Sequence, residues 1–297
     1  MKEFFKPWNP STKSRRLLYK IDEILTLYRG KGYRLTLRQL YYQLVARDII
    51  PNTVEEYAKI GNVVSRGRLA GYIDWHMIED RVRTPKGRQH WDDPKDILMA
   101  AKNTYYRSRW ENQNHYIEVW CEKDAISNIL APVCSKYDII FMANRGYSSQ
   151  SAMYDASKRF IEKQLDEGKN VHLIYFGDHD PSGIDMTRDI IERQSEFCGF
   201  SFHDVVIRAA LNMDQIKYHN PPENPAKMTD TRYREYSRIY GTSSWELDAL
   251  EPEVLDNILT SWITNYIDTY LWDEVEELEE EHKNIMQKHI DKISEDL

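Results

Sequence analysis

An Asp-x-Asp pair at the end of an apolar segment constrains the fold of this chain more than any other feature. Residues 171–176 are mostly apolar and run into Gly177, Asp178 and Asp180. Side chains alternate along a strand, so both aspartates point to the same side, and the glycine and proline residues around them allow a sharp turn. Carboxylates at a strand end are ligands that Mg²⁺ prefers. The segment therefore predicts a buried strand that carries two carboxylates to a metal ion.

A third carboxylate follows a second predicted strand. Residues 116–121 are mostly apolar and end in Glu122, and a helical pattern covers residues 124–137. An isolated Asp-x-Asp pair is more often a surface turn than a metal site, but a glutamate at the end of a second strand of the same sheet favours the metal. We therefore predict that Glu122, Asp178 and Asp180 bind Mg²⁺, for which Mn²⁺ is an acceptable substitute.

The length and composition of the chain indicate a soluble intracellular protein. Its 297 residues suffice for one large domain or two ordinary ones. No apolar run approaches the roughly twenty residues of a membrane span, and the N-terminus lacks a signal-peptide core. The three cysteines, Cys121, Cys134 and Cys198, lack the spacing of a zinc site. We expect a cytoplasmic protein, associated with the nucleoid if it is cellular, without disulfides, zinc or a membrane partner.

Charge is distributed unevenly along the chain. Residues 1–114 contain 22 Lys and Arg against 13 Asp and Glu, a net charge of +9, whereas the remainder contains 18 against 35, a net charge of −17. A basic N-terminal third and an acidic remainder are expected if one module holds phosphates and the other holds cations. The alternative is a chance segregation of solvated charges.

Residues 13–83 have the pattern of a small helical module that binds DNA. Apolar residues recur at helical spacing in three segments, and the order of elements looks like a winged helix. The third helix carries Lys59, Arg66 and Arg68, which we expect to contact DNA phosphates. The predicted elements are helices over residues 14–28, from residue 36 onward and over residues 54–70, followed by a wing strand over residues 71–75.

Two adjacent tyrosines in the second helix are expected to have different surroundings. Tyr41 belongs to the apolar stripe and is predicted to be buried. Arg38 and Tyr42 lie one turn apart on an adjoining face, which we expect to be more exposed. Tyr42 is therefore the tyrosine that we predict to be available for chemistry.

These features together resemble a known family. The strand-Glu-helix and strand-Asp-x-Asp-helix units are similar to the Toprim domain, the metal-binding catalytic module of topoisomerases, bacterial-type primases and some nucleases. Five ordered motifs narrow the resemblance to the topoisomerase VI A subunit and the meiotic double-strand-break transesterase. The motifs are Arg38-Gln39-Leu40-Tyr41-Tyr42, Val119-Trp120-Cys121-Glu122-Lys123-Asp124-Ala125, Asn144-Arg145-Gly146-Tyr147, Asp178-His179-Asp180-Pro181-Ser182-Gly183-Ile184-Asp185 and Trp245-Glu246-Leu247-Asp248-Ala249-Leu250.

The resemblance implies an α/β fold class in which a winged-helix domain, all-α or α+β, precedes a Rossmann-like Toprim domain. The linker between them begins with Pro85-Lys86-Gly87 and continues as a helix through Tyr105 and Trp110. The expected domains are residues 13–83 for the winged helix with the candidate tyrosine, 84–114 for the linker helix, 115–270 for the Toprim domain and 271–297 for an acidic helical tail.

The resemblance also implies an activity, which is Mg²⁺-dependent cleavage of double-stranded DNA by transesterification, as in the A subunit of a type IIB topoisomerase, an isomerase. Tyr42 would be the nucleophile, and Arg38 would favour its phenolate, because a phenol of pKa near 10 is a poor nucleophile at neutral pH. Glu122 would exchange a proton with the leaving sugar hydroxyl, and Lys123 and Arg145 would contact DNA. The family pattern further implies a link to the 5′ end and a homodimer in which each tyrosine meets the partner's metal site.

Some features depart from the family pattern. Gln39 stands where an acidic residue is common, and Arg145 stands where the family turn has lysine. Tyr42 lies near the start of the chain, so the N-terminal segment that contacts the ATPase subunit in topoisomerase VI is not expected. No phosphate-loop motif is present. We therefore expect a short stand-alone member without an ATP site in this chain, and an ATPase subunit partner is doubtful.

Two other functions fit the same residues. In a hydrolytic Toprim nuclease, Glu122, Asp178 and Asp180 would activate water and Tyr42 would be incidental. In a DNA-binding replication or maintenance factor, the metal site would have no catalytic role. Covalent trapping of DNA distinguishes the transesterase from the nuclease, and cleavage assays with Mg²⁺ distinguish both from the binding factor.

Overall fold

Four parallel strands form a sheet at the centre of the α/β part of the molecule. The computed structural model describes residues 1–78, 88 and 90–296. Because the strands are parallel, their carboxyl ends meet at one edge of the sheet, where ligands bind in open α/β folds. The mixed α/β class expected from the sequence is confirmed. The strands are β1 (His115–Cys121), β2 (Ile140–Ala143), β3 (Asn170–Phe176) and β4 (Val206–Ala210), in the order β2-β1-β3-β4.

The register of β1 and β3 brings the predicted carboxylates together. Cys121 lies opposite Phe176, the last residue of β3. The N–H of Glu122 donates to the carbonyl of Phe176 at 2.8 Å, so the strand pairing extends one residue beyond β1. Glu122 and Asp178 consequently leave neighbouring strands at the same edge of the sheet.

The three helices predicted for the N-terminal module are confirmed, with apolar stripes packed into a core of their own. Thr36 caps the second helix through a reciprocal pair of hydrogen bonds with Gln39, which explains why the helix begins there. These helices are α1 (Thr12–Gly30), α2 (Leu37–Ala46) and α3 (Val54–Leu69).

The predicted wing strand over residues 71–75 is wrong. Gly71 has a φ of +74° and turns the chain, and the N–H groups of Tyr72 and Ile73 both donate to the carbonyl of Gly67. The side chain of Asp74 then caps a short 3-10 helix, Trp75–Met77. The local capping contacts prevail over the β propensity of the aromatic and branched residues.

The linker helix is shorter than predicted. Helix α4 spans Pro94–Thr104, and residues 105–114 are not helical, because their side chains make tertiary contacts. The indole of Trp110, for example, donates to the carbonyl of Tyr137 at 2.6 Å. The predicted Pro85-Lys86-Gly87 linker and the end of the module at residues 79–83 lie outside the described residues.

Helices cover both faces of the sheet, which explains the continuous apolar runs in its strands. Val119 and Phe176 face one layer of helices, whereas Trp120 and Tyr175 face the other. The helices are α5 (Ser127–Lys136), α6 (Gln150–Ile161), α7 (Pro181–Cys198), α8 (Met213–His219), α9 (Tyr233–Tyr240) and α10 (Pro252–Thr264), and the short strands β5 (Glu223–Pro225) and β6 (Ser243–Trp245) form an antiparallel pair.

The C-terminal helix α11 (Thr269–Asp296) confirms the predicted helical tail and packs along α4 and the segment after it. The hydroxyl of Tyr105 lies 2.7 Å from Nδ1 of His282. The buried guanidinium of Arg109 lies 3.1 Å from the carboxylate of Glu279. In the described part of the chain, no helix combines the length and the apolar composition that crossing a membrane requires.

The N-terminal helices pack directly against the α/β part of the same chain. Helix α2 contacts the 3-10 helix Leu247–Ala249, and Ala249 contributes to the N-terminal core. The hydroxyl of Tyr33 donates to Asp256 at 3.0 Å, and Lys31 pairs with Glu253 at 2.7 Å. The interface therefore brings α2 to the edge of the sheet where the strands end.

Candidate functional site

Three carboxylates converge at the carboxyl edge of the sheet. One oxygen from each of Asp178, Glu246 and Asp248 lies within 4.8 Å of the others. We call these three residues the acidic cluster. Asp178 follows β3, whereas Glu246 and Asp248 belong to the segment after β6. The cluster thus depends on a contact between segments that are far apart in the sequence.

Backbone hydrogen bonds hold these two segments together. His179 and Trp245 exchange two bonds, with N···O distances of 2.9 and 3.0 Å. The N–H of Leu247 donates to the buried carboxylate of Asp178 at 2.7 Å. This bond fixes one carboxylate oxygen of Asp178 and leaves the other directed toward the rest of the cluster.

Two cations contact the acidic cluster and offset part of its negative charge. The ammonium group of Lys123 lies 2.6 Å from Asp178 and 3.3 Å from Asp248, and it also contacts Glu246. The guanidinium of Arg38 reaches the cluster from α2, with Nη2 2.8 Å from Glu246 and Nε 2.7 Å from Asp248. Both cations are engaged with carboxylates, so an incoming phosphate has to displace those contacts before it binds either of them.

Burial and charge shift the pKa values of the groups at this edge. Burial alone would lower the pKa of Lys123, but the carboxylates of Asp248 and Asp178 raise it above its ordinary value. Burial raises the pKa of Asp178, and Lys123 opposes that shift. Burial and the charge of Asp178 raise the pKa of Glu122. Shifts of this kind are typical of catalytic and metal-binding sites.

The predicted metal ligands occupy two different environments. Asp178 belongs to the acidic cluster. Glu122 is buried and accepts a hydrogen bond from the backbone N–H of Asp178 at 2.9 Å. Asp180 caps helix α7 and accepts a bond from the N–H of Gly183 at 2.6 Å. Glu122 and Asp180 therefore border the cluster and support the loop that presents Asp178.

Sequence reasoning did not assign a role to Glu246 or Asp248. Both lie in the Glu-Leu-acidic-Ala-Leu motif, and that motif is the sequence feature that could have indicated a role for them. Nothing in the spacing of that motif indicated that it would meet Asp178, because the meeting depends on the pairing of residues 179 and 245.

The donor set of the acidic cluster fits a divalent cation. Carboxylate oxygens are the ligands that Mg²⁺, Mn²⁺ and Ca²⁺ prefer. The cluster does not by itself select Mg²⁺ among these ions. The ammonium of Lys123 occupies the centre of the group, so a metal ion must compete with it.

The expected exposure of Tyr42 is wrong. Tyr42 is only 5% exposed, about as little as Tyr41 at 4%, because α2 packs against the α/β part of the chain, whereas the side chain of Arg38 stays 40% exposed. The hydroxyl of Tyr41 donates to Asn52, whereas the hydroxyl of Tyr42 accepts a long hydrogen bond of 3.4 Å from Arg38. Burial raises the pKa of Tyr42, and the positive charge of Arg38 opposes that shift.

The predicted DNA contacts already have protein partners. Lys59 pairs with Glu56 at 2.8 Å, and Arg66 lies over the ring of Trp8 at 4.6 Å from its centroid. Arg68 donates to the carbonyls of Trp75 and Ile78, where it stabilises the turn after α3. Arg145 is largely exposed and pairs with Asp124 at 3.1 Å. Their role in binding DNA stays a prediction.

A half-buried arginine supports the loop after β3. Arg208 donates to the carbonyls of Gly177, Asp178 and Gly183 at 3.0, 2.5 and 3.0 Å. Burial lowers the pKa of Arg208. Sequence reasoning missed this residue, because a lone arginine in a strand carries no signal that it will turn back toward a neighbouring loop.

The close approach of α7 to this loop requires a glycine. A Cβ at residue 183 would lie 2.3 Å from the carbonyl oxygen of Asp178 and 3.1 Å from Oε2 of Glu122. Both distances are shorter than ordinary contacts, so the glycine of the Asp-Pro-x-Gly segment is dictated by packing.

No protein-family model matches this chain, and no curated protein shows significant similarity to it.

Proposed function

We propose that this chain cleaves double-stranded DNA by transesterification, with Tyr42 as the nucleophile, as a relative of the topoisomerase VI A subunit. In this proposal the sheet and its helices form a Toprim domain, and α1 to α3 form a winged-helix domain that lacks the expected wing strand. The observation that carries the proposal is the position of Arg38. Its guanidinium lies 3.4 Å from the hydroxyl of Tyr42 and 2.7 Å from Asp248, so one side chain joins the candidate nucleophile to the acidic cluster.

The proposed reaction exchanges one phosphodiester for another. The hydroxyl oxygen of Tyr42 bonds to the scissile phosphorus, and the bond from phosphorus to the 3′ sugar oxygen breaks. The phenol proton passes to solvent, and the leaving oxygen takes a proton from Glu122, whose pKa is raised by burial. The product is a phosphotyrosine link to the 5′ end of one DNA strand, as the resemblance implies.

The cations of the site act on the phosphate. Arg38 and Lys123 contact the scissile phosphate after it displaces them from their carboxylate partners. A divalent cation held by Asp178, Glu246 and Asp248 supplies further positive charge beside that phosphate when it is bound. When Lys123 leaves the carboxylates to contact the phosphate, those carboxylates become available to a metal ion.

A single experiment tests the transesterase directly. Supercoiled DNA is incubated with the protein and Mg²⁺ or Mn²⁺, and the reaction is stopped with denaturant and resolved on a denaturing gel. We expect a protein-DNA adduct with the wild type and with Tyr41→Phe, and none with Tyr42→Phe. Cleavage at the wild-type rate by Tyr42→Phe would refute the proposed nucleophile.

The burial of Tyr42 favours the hydrolytic nuclease as the second candidate. A hydroxyl inside an interface is poorly placed for attack unless the interface opens. The nuclease needs no attack by Tyr42, and Glu246 of the acidic cluster is partly exposed to water. The nuclease predicts DNA cleavage with Mg²⁺, free 5′ or 3′ phosphate ends and no adduct. Binding of DNA without cleavage would instead support the non-catalytic factor.

The homodimer with a shared site, which the resemblance implies, stays a prediction. The alternative is a site formed within one chain, because Arg38 contacts both Tyr42 and the acidic cluster of its own chain. In a shared site, Tyr42→Phe and Asp178→Ala proteins should restore nicking when mixed, because half of the sites in a mixed dimer contain both groups. In a site formed within one chain, the mixture should stay inert. Subunit exchange measured on differently tagged proteins is the necessary control.

A further inference from the structure

A cavity of about 390 Å³ lies between the two parts of the chain, beside Tyr42. It opens between α2, the start of α3 and β5. Its volume falls within the range of roughly 300–1,000 Å³ that is common for small-ligand sites. Its lining includes Tyr41, Tyr57, Asn52 and Asn224 in addition to Tyr42.

One wall of the cavity is aromatic. The rings of Tyr41 and Tyr57 meet edge to face, with their centroids 5.2 Å apart. Tyr57 is 37% exposed and lines the cavity. A tyrosine face of this kind stacks on a nucleobase of any sequence.

Two amides also line the cavity. Nδ2 of Asn52 donates to Oδ1 of Asn224 at 2.7 Å, which joins the N-terminal module to β5. Carboxamides carry a donor and an acceptor side by side, which is the pattern that base edges match. Asn224 therefore offers polar atoms to a base in the cavity that Tyr42 also lines.

The charges around the cavity favour a base over a phosphate. Arg38 is the cation among the residues lining the cavity, and it is engaged with Glu246 and Asp248. Glu246 also lines the cavity, and its carboxylate repels a second anion. A neutral base can stack on the tyrosine rings and form hydrogen bonds with the amides, and the carboxylate of Glu246 does not repel it.

We propose that this cavity binds the nucleobase of a nucleotide that flanks the scissile phosphate, with Tyr57 stacking on the base and Asn224 contacting its edge. The proposal rests on the proposed function, because it takes DNA as the ligand and Tyr42 as the neighbouring nucleophile. A base inside the cavity must leave the DNA stack. Its extrusion costs least where the nucleotide is unpaired, which makes a single unpaired nucleotide the preferred target.

The test is a binding measurement that does not require cleavage. Fluorescent duplexes with and without one unpaired nucleotide are titrated with protein in metal-free buffer. We compare the wild type with Tyr57→Ala, Asn224→Ala and Tyr218→Ala, the last of which removes a highly exposed tyrosine elsewhere. Stacking of one base on an aromatic side chain corresponds to a roughly 5- to 150-fold change in affinity.

We expect the wild type and Tyr218→Ala to bind the duplex with the unpaired nucleotide at least about fivefold more tightly than the paired duplex. Tyr57→Ala and Asn224→Ala should lose most of that preference and keep their affinity for paired DNA. Equal binding of both duplexes by the wild type, or an unchanged preference in both variants, would overturn the proposal. Since no strand is cut, the failure of transesterification in the adduct assay is a separate result.

Discussion

Replacing Gly183 with alanine tests whether the loop after β3 is held as closely as the structure indicates. The new Cβ would lie 2.3 Å from the carbonyl oxygen of Asp178. Carbon and carbonyl oxygen ordinarily meet at roughly 3.3 Å, so helix α7 and the loop must separate by about 1 Å. Such overpacking costs about 1–3 kcal/mol, and the better helix propensity of alanine returns at most about 1 kcal/mol.

A thermal melt with a matched control measures this cost. Gly61→Ala also places alanine inside a helix, but its Cβ would meet only the side chain of Leu37, at 3.5 Å. We expect Gly61→Ala to leave the melting temperature unchanged or to raise it. Gly183→Ala should destabilise the protein by about 1–2 kcal/mol, which lowers the melting temperature by roughly 2–4 °C.

The same substitution should reduce DNA cleavage. A displaced loop moves the carboxylate of Asp178 away from the acidic cluster, and the new Cβ also crowds Glu122. We expect at least about a tenfold loss of cleavage, because a misplacement of about 1 Å can reduce catalysis 10²-fold. A Gly183→Ala protein that is as stable and as active as Gly61→Ala would refute the close approach.

Further predictions concern the metal and the buried histidine. Glu246→Gln should abolish the rise in melting temperature with Mg²⁺, because it removes one carboxylate of the acidic cluster; a full Mg²⁺ response would exclude this cluster as the binding site. Lys123→Met should melt below the wild type without metal, since three carboxylates then repel one another, and should gain more from Mg²⁺; an unchanged response would mean that Lys123 does not compete with the ion. Burial, with the charge of His115 adding to it, lowers the pKa of His172 to about 4. The unfolded chain therefore takes up the proton first as pH falls below about 6.5, and the wild type should lose on the order of 2 kcal/mol more stability between pH 7 and pH 5 than His172→Gln. The exposed control His203→Gln should follow the wild type in the same melts, and identical pH profiles for all three proteins would contradict the assignment.

Local patterns in the sequence predicted much of this fold. The apolar runs that end at Glu122 and Asp178 are neighbouring parallel strands, and the amphipathic stripes of the N-terminal module form its helices. These features are predictable because they depend on residues that are close in sequence.

The rest depends on contacts between distant segments. Tyr42 is buried because another part of the chain packs against α2. The spacing of apolar residues within α2 does not predict that contact. Glu246 and Asp248 lie 68 and 70 positions after Asp178 in the sequence, and they meet it only because Trp245 pairs with His179. The Asp-x-Asp pattern predicts Asp180 as a metal ligand, but a carboxylate at the start of a helix is also an N-cap, and Asp180 caps α7 in the structure.

The most direct test of the proposed function identifies the residue that becomes linked to DNA. The adduct formed with supercoiled DNA and Mg²⁺ or Mn²⁺ is digested with nuclease and trypsin, and the peptides are sequenced by mass spectrometry. Trypsin cuts after Arg38 and Arg47, so one peptide contains both Tyr41 and Tyr42, and fragmentation must separate them. The proposed function predicts a nucleotide on Tyr42. A nucleotide on Tyr41 or on any other residue, or DNA cut without an adduct, would contradict it.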